Sequence, residues 1–413
     1  MLHRVLGKIS INRNEFLLVF GLLFNVFTWY FFLSSFIEKV ILRSGFENQS
    51  LVIWGTFYLS IVVFSIVGAF LSKRISLFKF FYSWILLGVI ASLLPVLVNR
   101  FTVPQIVVIS VFLGASFGIG MPSCLAFFAE TTKVDNRGRV GGITFLIVFL
   151  VSALFTIPFD FLSLTMLAII CALWRGAGLS IYWLKLKKQD TSEVTKTSFF
   201  SILNNRSFLL YFIAWLMFCL VDTMEKAIVE QVLLTRFSEL LSTMNRVEPI
   251  IATIFIFIAG FMCDWIGRKK IVLSGFVSLG VAYAILGFLG IESYFSWYMY
   301  FVVDGAAWGI FYLTFVLILW GDLSQPGSRE KYYTLGSVPF FISYIIPHFV
   351  EFGNEELAAG FYFSVAAFFL FLAILPLIYA PETLPEKKME LRRLRSFAEE
   401  AQKAKEKYER KMG

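Results

Sequence analysis

Along this chain, apolar runs long enough to cross a bilayer alternate with short polar connections. Twelve such runs are predicted as helices, at 16–37, 51–71, 80–98, 104–128, 140–158, 161–184, 207–231, 248–263, 271–291, 297–321, 332–352 and 358–379. A hydrocarbon core about 30 Å thick calls for roughly 20 helical residues rising 1.5 Å each, and most of these runs supply them. The first run follows a polar, basic stretch (Arg4, Lys8, Arg13) and is too long for a signal-peptide core, so it reads as a retained first span.

The connections carry the charge, and they carry it unevenly. Of the 36 Lys and Arg residues, 29 fall in the N-terminal tail, the loops after even-numbered spans and the C-terminal tail. The opposite side holds only Lys39, Arg43, Arg100, Arg236 and Arg246. Positive charge is retained in the cytoplasm, which predicts that both termini are cytoplasmic.

Composition then excludes other classes. With 58% hydrophobic and 15% charged residues, an ordinary soluble domain is ruled out, and the net charge of +8 lies in loops and not on a nucleic-acid-binding face. The four cysteines sit in or at the ends of apolar runs, without disulfide or zinc spacing. No nucleophile motif, metal cluster or nucleotide loop stands out, so neither an enzyme nor a cofactor is expected.

The chain reads as a duplication. A shift of 192 residues superimposes Gly68 on Gly260, Glu130 on Asp322, Arg137 on Arg329 and Glu38 on Glu230. It predicts an N-terminal half at 1–184 and a C-terminal half at 207–380, each of six helices. A polar linker at 185–206 would join them, and a charged tail would occupy 381–413.

Between the eighth and ninth runs lies Gly260-Phe-Met-Cys-Asp264-Trp-Ile-Gly267-Arg268-Lys269-Lys270. Gly260 admits a neighbouring helix, Gly267 permits a tight reversal, and Asp264 needs a cation or a helix N-terminus. The stretch resembles the loop signature of major facilitator superfamily (MFS) transporters. Glu130, Arg137, Gly138 and Arg139, echoed by Asp322 and Arg329, resemble the E-x6-R-G-R element of the sugar-porter-like branch, and Pro381-Glu382-Thr383 resembles the P-E-T segment that closes the last helix in that branch. The resemblance implies two six-helix bundles and a gate built from Gly260, Asp264, Gly267, Arg268, Lys269, Glu130, Arg137, Asp322 and Arg329. Two departures matter. The first copy of the loop has Ser72 where the acid belongs, so one of the two latches is expected to be weaker or differently partnered, and the fifth run has no Gly-Pro pair of the drug-antiporter kind, which counts against an exporter of that type.

By the same resemblance, the first, fourth, seventh and tenth helices line a central cavity. Asn25 and Trp29, and Asp304, Trp308 and Tyr312, are four apart and share helical faces suited to a polar organic solute, or to packing. Asp222, Glu225, Lys226, Glu230 and Gln231 crowd the seventh run. Asp222 and Asp304 are placed about 8 to 10 Å below the outer face, where Asp222, Glu225 and Asp304 could carry a coupling proton. Alternatively, Lys226 pairs with Asp222. Arg175 is expected to snorkel or to be paired, and Gly114, Gly118 and Gly120 to allow close helix packing. His348 and Glu351 are expected near an interface, and the tail to form a surface helix.

The expected function is a secondary transporter in the plasma or inner membrane. It would act as a monomer on a sugar-like solute or organic anion by alternating access, either proton-coupled or as a uniporter. An exporter of amphipathic compounds is one alternative, and a sensor or scaffold signalling through its tail is another. The partners expected are the solute, protons and the lipid bilayer, and no nucleic acid.

Overall fold

A computed structural model describes residues 13–180, 197–289, 292–345 and 356–384. Residues 185–196 of the expected linker, 385–413 of the charged tail, His348 and Glu351 lie outside these residues. Every regular element among the described residues is helical: α1 (Arg13–Ser44), α2 (Ser50–Leu71), α3 (Leu77–Leu93), α4 (Val103–Thr131), α5 (Arg137–Thr156) and α6 (Leu164–Ala177). After the one-turn helix Phe199–Leu203 come α7 (Arg206–Arg236), α8 (Ser238–Trp265), α9 (Arg268–Leu289), α10 (Tyr294–Leu323), α11 (Arg329–Ser343) and α12 (Glu356–Tyr379). Ten of these are long and apolar enough to span a membrane; α6 is shorter, and α11 is described over only part of its expected run.

Local signals set the ends. Thr102 and Gln105 form a capping box at the start of α4, with Pro104 in its first turn. Ser163 caps α6, and Asn205 caps α7 by accepting from the amides of Ser207 and Phe208. Several helices outrun the expected spans. α8 begins ten residues earlier, at Ser238, and carries Pro249 within it, while α7 continues to Arg236. The polar end turns project beyond the apolar window, so hydropathy alone does not see them.

The helix neighbours repeat. α1 packs on α4, α5 and α6, α2 on α4, and α3 on α4 and α6. Six helices later, α7 packs on α10, α11 and α12, α8 on α10, and α9 on α10 and α12. Contacts between the two sets follow the same symmetry: α2 with α11 and α5 with α8, α4 with α11 and α5 with α10. Outward faces are apolar, with Phe288, Leu173, Leu154 and Phe361 exposed, the arrangement expected when the solvent is lipid.

The tightest crossing between the sets is α5 against α8. A Cβ on Gly260 would lie 3.0 Å from the Gly142 Cα, and one on Gly142 would lie 3.0 Å from the Ile256 carbonyl oxygen. Backbone cannot yield there, whereas Gly176 faces only Val89 Cγ2 at 3.6 Å. Gly260→Val should therefore cost about 1–3 kcal/mol through overpacking. In thermal unfolding of purified protein it should lower Tm, and Gly176→Ala should leave Tm unchanged.

Candidate functional site

At the basic end of the bundle, where the Lys- and Arg-rich connections lie, buried charges join the two sets of helices. Asp264, at the end of α8, accepts from the backbone amides of Gly138 (3.0 Å) and Arg139 (2.8 Å), the free donors of the α5 N-terminus. The Arg139 Nε (3.2 Å) and the Arg268 Nη2 (3.1 Å) pair with it as well. Arg268 also reaches the Asp322 Oδ2 at 3.1 Å through Nε, and donates to the Cys263 carbonyl at 2.7 Å. Asp322 pairs in turn with Arg137 and accepts from the Thr383 hydroxyl. The Arg137, Arg268 and Asp322 side chains are at most 2% exposed. Arg329 meets Glu130 at 3.4 Å, so the two acid–arginine pairs related by the 192-residue shift cross over, each uniting opposite halves.

Two features shape this clasp. Gly267 sits at φ +117°, a conformation side chains resist, and turns the chain from α8 into α9. Glu382 then caps α9, accepting from the amides of Arg268 (2.9 Å) and Lys269 (3.2 Å), while the Lys269 ammonium donates to the Ile378 carbonyl. The first-half copy is differently partnered. The buried Ser72 hydroxyl has no hydrogen bond among the described residues, and Lys73 reaches the Gly327 carbonyl and, at 3.9 Å, Glu330.

Between the halves lies a chamber walled by Phe27 and Tyr30 of α1, Phe117 of α4, Trp215 of α7, Tyr312 of α10 and Phe341 of α11. Among the described residues no charged side chain lines it, and the free space is about 20 Å³, room for about one water. Rings from opposite halves close it: Tyr30 with Phe341 at 6.2 Å, and Phe145 and Phe149 with Tyr312 at 5.3 and 5.2 Å.

Asn25 and Trp29 do not face this chamber. Asn25 donates to the Trp174 carbonyl (2.7 Å) and accepts from Arg175 (2.8 Å), and Trp29 donates to Ser92 (3.0 Å). The Arg175 guanidinium, fully buried, lies over the rings of Trp29 and Trp84 at 4.8 and 4.2 Å. A buried cation therefore takes the polar side of α1 for the interior of its own half, and Arg175 is paired and does not snorkel. Phe27, two residues and about 200° from Asn25, turns to the chamber instead.

On α10 the members of the expected stripe serve different places. Tyr312 lines the chamber, at the start of a π-helical stretch through Ile318. Trp308 donates to the Asp222 Oδ1 at 2.8 Å. Asp304, buried, lies within hydrogen-bonding reach of Glu248 on α8, and its Oδ1 has no partner among the described residues. Glu225 accepts from Tyr283 and Tyr300, both at 3.0 Å. Lys226 is exposed and acts on Asp222 through its field, Trp308 being the hydrogen-bond partner. Glu248, Tyr283, Tyr300 and Glu382 were not among the predicted site residues. The sequence signal for Glu248 was a carboxyl beside Pro249 at the edge of an apolar run.

Removing one partner of a buried pair strands the other charge, at a cost of about 3–5 kcal/mol. Asp322→Asn should lower Tm strongly, and combining it with Arg137→Gln should recover part of the loss. Fully additive losses in a thermal double-mutant cycle would show that the two do not interact.

No family model and no curated protein matches the chain. Among solved structures it is similar to the human organic anion transporter MFSD10 (TETRAN), with a TM-score of 0.66 at 13% identity over 88% of this chain and 99% of that one. It is also similar to FucP, an MFS transporter in the outward conformation, with a TM-score of 0.64 at 13% identity over 89% and 99%. Ten apolar helices in this arrangement make the chain a multi-pass membrane protein with the fold of the major facilitator superfamily transporters.

Proposed function

We propose that this protein is a secondary transporter that moves a small organic solute across the cell membrane by alternating access. The reading comprises twelve spans in two halves (1–184 and 207–380), a linker at 185–206, both termini in the cytoplasm and a monomeric unit. One observation carries it: the acid–arginine pairs that join the halves at the basic end stand below a ring-lined chamber between those same halves. A site at the interface of two repeats, closed at one end by breakable contacts, supports rocking of the halves about the solute.

Gly260, Asp264, Gly267, Arg268, Lys269, Glu130, Arg137, Asp322 and Arg329 act as the gate. With clasp and chamber both closed, the conformation corresponds to an occluded state. Opening toward the cytoplasm draws Asp264 off the α5 N-terminus and rehydrates Arg137 and Asp322, so the clasp biases the population toward inward closure.

The uncharged, aromatic lining supports a neutral solute that stacks on rings, a sugar-like compound in keeping with the E-x6-R-G-R and P-E-T elements. The organic-anion reading draws its support from the likeness to MFSD10. The aromatic walls also suit an amphipathic solute moving outward. Asp222, Glu225 and Asp304 lie on the turns leading to the chamber, which supports proton coupling over uniport.

Proteoliposomes loaded with protein and presented with labelled sugars, carboxylates and amphipathic amines on either side test solute and direction together. Tyr312→Ala should raise KM about tenfold for the transported solute, equivalent to about 1.4 kcal/mol of binding. Asp264→Asn should lower the rate with KM little changed. Removing 385–413 should leave transport intact. Absence of transport by the wild type for every solute offered on either side would favour the sensor or scaffold reading.

A further inference from the structure

We propose that Glu248 and Asp304 form a proton-binding site in the half of the second helix set away from the clasp. The inference rests on the transport reading for its role as the coupling site, but not for the site itself. Both residues lie ten positions into their helices, Glu248 from Ser238 of α8 and Asp304 from Tyr294 of α10, about 15 Å from the same end. The helices touch there: a Cβ on Gly305 would lie 2.8 Å from the Glu248 carbonyl oxygen. Asp304 is 3% exposed, and its Oδ1 has no hydrogen-bond partner among the described residues.

The surroundings leave few donors. From α7, Asp222, Glu225, Lys226 and Glu230 face this region, from α9 Tyr283, and from α10 Tyr300. Both tyrosine hydroxyls donate to Glu225, and the Trp308 indole donates to Asp222. Among the described residues, five carboxyls thus share a single ammonium. Two carboxyl groups in hydrogen-bonding reach of each other hold together only when one carries a proton, because adjacent carboxylates repel. A shared proton removes that repulsion without bringing any further ligand into the crossing.

Access and linkage complete the case. Glu248 is only half-buried, with Lys226 and Glu230 exposed beside it, so protons can reach the dyad from the aqueous end. Asp304 is one helical turn from Trp308, which holds Asp222, and two turns from Tyr312 in the chamber. Protonation therefore acts at the α8–α10 crossing and is felt where the solute binds.

Infrared difference spectroscopy of the purified, full-length protein across a pH titration reads the site without any solute. A carbonyl-stretch band from a protonated buried carboxyl, shifted in D2O, should be present in the wild type and lost in Asp304→Asn. In Glu248→Gln, whose shape is conserved, the titration midpoint of that band should move by about one pH unit or more. A band unchanged in both folded variants would overturn the dyad. In proteoliposomes, Asp304→Asn should abolish accumulation driven by a pH gradient while retaining solute exchange at equal pH. Full gradient-driven accumulation in Asp304→Asn would overturn the coupling role. Absence of wild-type transport with any solute would instead strike the transport reading, with the infrared result standing by itself.

Discussion

Arg137 and Asp322 are both closed off from solvent, come from opposite halves of the molecule, and neither can remain buried alone. That constraint organises the basic end. Around the pair gather Arg268, Thr383 and the α5 N-terminus with Asp264, so that most of the charge there is met by another charge or by a helix dipole. A partnership of this kind is strong while it excludes water and weak once water enters.

The two halves share a packing plan but not a chemistry. The first buries a single guanidinium between indoles and fixes it with Asn25, leaving its chamber face to Phe27, Tyr30 and Phe117. The second buries a group of carboxyls and offers them tyrosine and indole donors. The scaffold is shared, since the helix neighbours recur six helices on. The polarity is not: a cation, and separately a carboxyl group, each needed its own local solution inside apolar surroundings.

The clasp shows the same divergence. Asp264 with Gly267 and Glu382 makes a dense knot between α8, α9 and the end of α12, whereas Ser72 in the equivalent place brings no charge and Lys73 settles for a carbonyl and a distant carboxylate. The two-fold related pairs Arg137–Asp322 and Arg329–Glu130 retain the older symmetry, one fully buried and one at the rim.

Much was legible in the sequence because membranes impose one-dimensional rules. Length and hydropathy mark the helices, and a single offset anticipates helix neighbours that recur six helices on; each depends on position along the chain alone. The glycine, acid and arginine positions of the clasp were legible too, since a charged turn between apolar runs has few places to go. What the tertiary structure decided was the direction each helix faces. Asn25 and Trp29 share a helical face, but only the arrival of Arg175 from α6 turns that face inward. Asp304 and Glu248 lie far apart in the chain, and only the α8–α10 crossing at Gly305 brings them together. Periodicity specifies which residues point the same way; the rotation of a helix about its axis depends on what its neighbours must bury, and that is a property of the assembled bundle.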